Sequence, residues 1–290
     1  MKIKSFLMII LLAGLINVNS FAQKQEFKIS LAEWSLHQAI GKNKVTNLDF
    51  PGIAKRTYGL DAVEYVSTFF KGKGEDNAYL TALKDSCTKN GVKSLLIMVD
   101  GEGNLADTSL TVRTKAVVNH YKCVKAAKFL GCHSIRVNAA GRGTMGQMQA
   151  AAIDGLTKLS EYAAGFGINV IVENHGGNSS ISKWLIEIMK AVNKPNCGVL
   201  PDLGNFYEYD RYAGVKEMMP YAKGVSGKTH DFDAAGNETV IDYAKMMQII
   251  ADSKYSGYID VEYEGMKLNE DEGIKASIAL VKKVIAPYNK

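Results

Sequence analysis

The chain has 290 residues, of which 47% are apolar and 22% charged, with 27 Gly and 5 Pro. That is the composition of a folded globular protein, and it argues against a disordered, collagen-like or polytopic membrane chain. The 35 basic and 30 acidic residues leave a formal charge of +5. This is too mild and too evenly spread to be the electrostatic footprint of a nucleic-acid binder.

In chain order, the first feature is Met1 to Ala22, MKIKSFLMIILLAGLINVNSFA. Lys2 and Lys4 form a basic start, Phe6 to Ile16 an apolar stretch, and Ser20-Phe21-Ala22 a small-x-small cleavage site. The pattern predicts a signal peptide over 1–22 and a periplasmic or secreted mature protein, with no stable membrane association after its removal. The apolar stretch is shorter than the roughly 20 residues of a spanning helix, and no Cys follows it to carry a lipid. Losing its two lysines, with no acid lost, lowers the charge to +3. Cys87, Cys123, Cys132 and Cys197 contain no CxxC pair. An oxidising compartment permits disulfides, but a chain of this size does not need them.

Beyond the leader one unit recurs: a helical stretch, a Gly or turn residue, then a short β-branched apolar run. The runs are FKISLAEW (27–34), YGLDAVEYV (58–66), NGVKSLLIMV (90–99), LGCHSIRV (130–137), FGINVIVE (166–173), PNCGVLPD (195–202), AKGVSGKTH (222–230) and SGYIDVE (256–262). Gly before most runs suits a helix C-terminus, because it accepts the left-handed conformation that turns the chain into the next strand. YLTALKDSCTKN, TVRTKAVVNHYKCVKAAKFL, MQAAAIDGLTKLSEYAAGF and SKWLIEIMKAV have helical spacing between the runs. Strands separated by helices make a parallel sheet. Eight such units predict an α/β fold, a single-domain (β/α)8 TIM barrel over about 25–288, since a doubly wound sheet usually stops at fewer strands and no GxGxxG follows the first run.

Active sites of such barrels sit at the C-terminal strand ends. The last four runs carry Glu173, Asp202, His230 and Glu262 there. Charged groups ending apolar strands are costly unless paired or bound to a metal. Three carboxylates and one imidazole form an oxygen-rich set suited to one divalent ion: Mn²⁺ first, with Mg²⁺, Co²⁺ or Zn²⁺ compatible. The alternative is that these carboxylates pair with Lys and Arg or cap the next helix. Trp34 and His37 follow the first strand, Glu64 lies in the second, and Arg136 and Asn138 close the fourth. His175 shares a face with Glu173, and Asn205 follows Asp202. An aromatic wall with hydrogen-bonding side chains suits a sugar, whose faces are apolar and edges polar. Trp184, His120 and His133 read as structural. Asp231 to Asp242 imitates a calcium loop, but its fifth position is Ala and no helix precedes it, so a turn at Gly236 explains it.

The segments VENHGG, PDLGNF, GKTHDFDAAGNET and GYIDVEYEG, with SLAEWSLH, SLLIMVDGEGNL and SIRVNAAG earlier, resemble the sugar phosphate isomerase/epimerase group of xylose isomerase-like TIM barrels, within the AP endonuclease family 2 superfamily. The resemblance implies one metal ion held by Glu, Asp, His and Glu of strands five to eight, with the two Glu as acid/base pair. Carried over, Glu173 and Glu262 are ligands and catalysts, and Asp202 is a ligand. The match departs at the seventh strand. The family commonly has His-x-Lys-Asp there, and this chain has Ser226 where His would stand if Lys228 is aligned. Ser226, Lys228 and His230 share one face of the strand; His230 is the expected fourth ligand and Lys228 is expected to meet substrate oxygen.

The implied function is a metal-dependent sugar isomerase or epimerase that abstracts a proton next to a carbonyl and passes through an enediolate. The leader and the lack of a Gly-rich phosphate cradle after strands seven or eight favour an unphosphorylated sugar or glycoside, and a homo-oligomer is compatible with the sequence. Alternatives are a keto-glycoside lyase or hydratase using the same site, and a carbohydrate-binding barrel without catalysis. An endonuclease IV relative is disfavoured by the missing His clusters and the charge, so no nucleic-acid partner is expected.

Overall fold

The computed structural model describes residues 25–289, and the expected signal peptide lies outside them. Eight parallel strands carry the apolar runs: β1 (Phe27–Ala32), β2 (Ala62–Val66), β3 (Lys93–Met98), β4 (Ser134–Val137), β5 (Asn169–Glu173), β6 (Cys197–Leu200), β7 (Val225–Thr229) and β8 (Gly257–Tyr263). Helices α1 (His37–Gly41) and α2 (Phe50–Arg56) precede β2. Each later strand is followed by one principal helix: α3 (Asn77–Asn90), α4 (Leu110–Leu130), α5 (Met145–Ala164), α6 (Ser182–Val192), α7 (Arg211–Met218), α8 (Tyr243–Asp252) and α9 (Glu270–Ile285).

Neighbouring strands run in the order β6-β5-β4-β3-β2-β1-β8-β7. The ring closes between β6 and β7 through parallel bridges Val199 to Ala222 and Asp202 to Ser226. There the Ser226 N–H donates to Pro201 O at 2.8 Å and Leu203 N–H to Ser226 O at 3.0 Å. The protein is a (β/α)8 TIM barrel, as the eight runs predict.

Local signals place the elements. Gly91 and Gly131 end α3 and α4 with φ of 65° and 83°, the left-handed conformation a side chain resists. Thr144 and Asn269 open α5 and α9 with reciprocal capping boxes, each worth about 1 kcal/mol. Most of the apolar core lies between the outer faces of the strands and the helices, where Trp184 is buried. His120 is buried within α4 against Ala116 O, and His133 lies beside Ser134 at the start of β4. Asp233 accepts from Ala235 N and Asn237 N, and Asp242 caps α8, so the calcium-like segment is a turn and a helix cap. All four cysteines are free. Among the described residues no helix is long and apolar enough to cross a membrane.

Candidate active site

Alternation along parallel strands sends every second side chain into the barrel. Ala32, Val66, Leu96, Met98, Ile171 and Leu200 form a small apolar cluster apart from the main core. Other inward positions are polar: Ser30, Glu64, Arg136, Glu173, Ser226, Lys228, Asp260 and Glu262 are all buried. Two polar layers result.

The lower layer holds Glu64, whose Oε1 accepts from Ser30 Oγ at 2.8 Å, and Asp260, whose Oδ1 accepts from Gly227 N at 2.8 Å. Burial pushes Glu64 up to about 7, partly offset by hydrogen bonds from Ser30 and Asp260. Burial, then the nearby Glu64 and Glu262 charges, pushes Asp260 well above the usual carboxylate range. Glu64, expected from the sequence to meet substrate, is a mid-strand residue facing Asp260 in the interior.

The upper layer is the mouth. Asp202, two residues past β6, is oriented by its backbone: its N–H donates to Asn174 Oδ1 at 2.8 Å, and Asn174 Nδ2 donates to its carbonyl at 3.0 Å. Its Oδ1 accepts from Gly204 N and Asn205 N at 2.7 and 2.8 Å. Lys228, only 2% exposed, reaches into the centre. Its Nζ lies 3.0 Å from Glu262 Oε1, 3.3 Å from Glu264 Oε2, 3.4 Å from Asp202 Oδ2 and 3.4 Å from Asn205 Oδ1. Ser226 Oγ stands between the same carboxylates, 3.3 Å from Asp202 Oδ2 and 3.4 Å from Glu262 Oε2.

Glu173 has a different cation. Arg136 Nε lies 2.7 Å from Glu173 Oε2, an ion pair whose N–H points off the line of a hydrogen bond. The Nη1 of Arg136 donates to Asp100 Oδ1 at 2.8 Å, and Asn205 Nδ2 donates to Glu173 Oε1 at 3.2 Å. Burial pushes Glu173 up to about 8 against the pull of Arg136. It raises Glu262 as well, against Lys228. Burial disfavours both cations, but the surrounding carboxylates outweigh it and hold Lys228 and Arg136 above their ordinary values. Glu264, 30% exposed at its side chain, is lowered because Lys228 outweighs its own burial.

Around this centre the rim is aromatic and polar. The Trp34 ring stacks between His37, at 4.9 Å and 14°, and Phe69, at 5.8 Å and 9°. His37 Nδ1 lies 2.8 Å from Trp34 O. Asn138 Nδ2 donates to Asp100 Oδ1 at 2.8 Å. His175, lowered by burial and then by Arg136, lines with Asn138 and Met148 a groove of about 360 Å³.

His230 is the first residue past β7. Four residues beyond Ser226, at about 3.3 Å each, carry it to the rim, where its N–H donates to Glu238 Oε1 at 3.3 Å. Among the described residues its ring pairs with none of Glu173, Asp202 and Glu262. The four-ligand set expected for a metal is thus not assembled: no group of three or more His, Cys, Asp or Glu among the described residues is arranged to hold an ion. A further cation on Asp202 and Glu262 would share oxygens already neutralised by an ammonium and be repelled by it, and the fourth position is a hydroxyl, a poor ligand for these ions.

Sequence reasoning overlooked Glu264, Asp260, Asn174 and Asp100. Asp260, Glu262 and Glu264 alternate at spacing two on one strand face, which was a readable signal. For Asn174 and Asp100, whose partners lie on other strands, no local signal exists.

The sequence profile of the xylose isomerase-like TIM barrel family matches residues 53–284. The chain belongs to this family. No curated protein matches it by sequence, but many solved structures share its fold. One is the IOLI protein with a bound zinc atom, 16% identical, TM-score 0.71, covering 90% of this chain and 99% of that one. Another is D-allulose 3-epimerase from Methylomonas sp. in complex with D-allulose, 14% identical, TM-score 0.71, covering 89% and 97%. A third is a probable 3-DHS dehydratase from Bacillus anthracis, 18% identical, TM-score 0.64, covering 88% and 98%. At such identities the likeness concerns the fold, and proteins that share one barrel carry different reactions.

Proposed function

We propose that this chain is an isomerase or epimerase of an unphosphorylated sugar or glycoside, exported to the periplasm or beyond, that moves a proton on a carbon next to a carbonyl. The observation that carries the reading is the pair Glu173 and Glu262, both buried at strand ends of one barrel mouth. The sugar epimerases that share the fold support the substrate class. The divalent ion, Mn²⁺ above all, that the family resemblance implies does not fit the residues present, and no step is routed through it.

Proton exchange at carbon needs one carboxylate to accept and one carboxylic acid to donate. Glu262, beside the Lys228 ammonium at 3.0 Å, is the better acceptor. Glu173, pushed up to about 8, is the better donor. Positively charged Lys228 and Arg136 face the oxygen on which charge develops as the proton leaves. The stack of His37, Trp34 and Phe69 offers an apolar edge to the sugar, and His37, Asn138, His175 and Asn205 offer polar groups. The lysine takes the substrate-contacting role that the sequence gives it.

The test is incubation with a panel of free sugars and glycosides in D₂O. Glu262→Gln is expected to lose deuterium exchange at the reacting carbon, and Glu173→Gln to lose product formation, each by about 10²- to 10⁴-fold, with circular dichroism unchanged. Full turnover in either variant refutes the acid/base assignment. Release of a second sugar in place of an isomer makes the reaction an elimination.

A further inference from the structure

The mouth of this barrel already contains a cation. We propose that the Lys228 ammonium is the resident cation of the site, standing between Asp202 and Glu262 and giving the charge stabilisation that the family's metal gives elsewhere, so that the protein works without a divalent ion. The catalytic half of this proposal rests on the reading above; the metal-free half does not.

Four observations converge. First, Nζ touches one oxygen from each of Asp202, Glu262, Glu264 and Asn205 within 3.0–3.4 Å, so the carboxylates of β6 and β8 are turned toward it. Second, the lysine has a built channel. Its Cγ and Cδ would lie 3.0 Å from a Cβ added at Gly204, and its carbonyl accepts the Tyr243 hydroxyl at 2.7 Å. A side chain at 204 would press on the stem, so the glycine and the lysine go together. Third, the inward residue level with Asp202 on the neighbouring strand is Ser226, bridged to it in the sheet. Its hydroxyl hydrogen-bonds the carboxylates that an imidazole would join in holding an ion. Fourth, Glu173 takes its cation from Arg136, at 2.7 Å, and meets the Lys228 cluster through Asn205, whose amide donates to it at 3.2 Å.

The arrangement also sets the direction of approach. Of the carboxylates around Nζ, Asp202 and Glu262 are buried, whereas Glu264 is 30% exposed at its side chain. Glu264 is the contact a substrate oxygen can displace. In the reaction the C–H proton passes to a carboxylate, its electron pair delocalises onto the carbonyl oxygen, and that oxygen accepts a hydrogen bond from Nζ. No bond to the lysine is made or broken, and the reverse transfer restores the carbonyl.

The experiment measures metal before activity. Wild-type protein is dialysed against EDTA, analysed for bound metal, and followed by thermal unfolding with added Mn²⁺, Co²⁺ or Zn²⁺. The expected result is well below one ion per chain and an unchanged Tm. The double variant Ser226→His with Lys228→Ala, which restores an imidazole and removes the ammonium, is expected to gain a Mn²⁺-dependent rise in Tm of roughly 5 °C. One tightly held ion in the wild type, lost in Asp202→Asn, overturns the proposal. So does a folded double variant that gains no metal response, because Lys228 would then not be what excludes the ion. If the double variant does not fold, the wild-type titration decides alone. Once a substrate is found, turnover is expected to resist EDTA and to fall about 10²- to 10³-fold in Lys228→Gln; turnover abolished by EDTA and restored by Mn²⁺ overturns the proposal. A metal-free protein that converts none of the sugars refutes only the proposed function.

Discussion

Replacing Glu33 by Gln is expected to remove a pH-dependent penalty from the fold. Glu33 follows β1 and is fully buried; its Oε2 accepts from Val66 N at 3.0 Å, while Oε1 has no partner. Burial pushes it from the ordinary 4.5 up to about 8, against the single hydrogen bond from Val66. Between those values the unfolded chain releases its proton and the folded chain keeps it. Stability is therefore fully present below about pH 4.5 and falls as pH rises toward 8. Each pH unit of that window is worth about 1.4 kcal/mol, which gives a loss on the order of 5 kcal/mol, or roughly 10 °C in Tm for a chain of this size. Gln keeps an acceptor for Val66 but leaves its amide donors without a partner, a cost of about 1–3 kcal/mol at every pH. The melting curves of the two proteins should therefore cross: the variant less stable at pH 5, more stable at pH 8. Glu64, Glu173, Asp260 and Glu262 titrate in both proteins, so the difference isolates Glu33. Calorimetry from pH 5 to 8.5 measures it. Parallel Tm curves, offset by a constant, would refute the reasoning.

Two further outcomes follow from the mouth. Arg136→Leu removes the positive charge that pulls Glu173 down and is expected to move its titration further up, read as an upward shift of the alkaline limb of the pH–activity profile; an unmoved limb would show that Glu173 does not depend on the pair. Trp34→Ala removes the centre of the His37, Trp34 and Phe69 stack and is expected to raise KM about tenfold with a smaller change in kcat. An effect on kcat alone would move Trp34 from substrate binding to the reaction itself.

The barrel was legible in the sequence because its signals are local. Eight β-branched runs, all but the first after a helical stretch, needed only the periods of strand and helix. Gly91 and Gly131 announced helix ends that the backbone then used. The strand-end rule also brought Glu173, Asp202 and Glu262 to one mouth, because their place at the ends of consecutive units is itself written in the chain. Spacing two predicts one face for Ser226, Lys228 and His230, and of these Ser226 and Lys228 meet the same carboxylates. What the chain order did not contain was height and reach. His230 lies four residues beyond Ser226, past the end of β7, which takes it to the rim, and Glu64 proved to be a mid-strand residue of the lower layer. Nor does local pattern say which charge answers which. Arg136 on β4 selects Glu173 on β5, and the long stem of Lys228 carries its ammonium across to carboxylates from β6 and β8. Those pairings arise only when separate strands are wrapped into a ring and their side chains compete for one small, water-poor space, so tertiary structure alone decided that the cation at the centre is the chain's own.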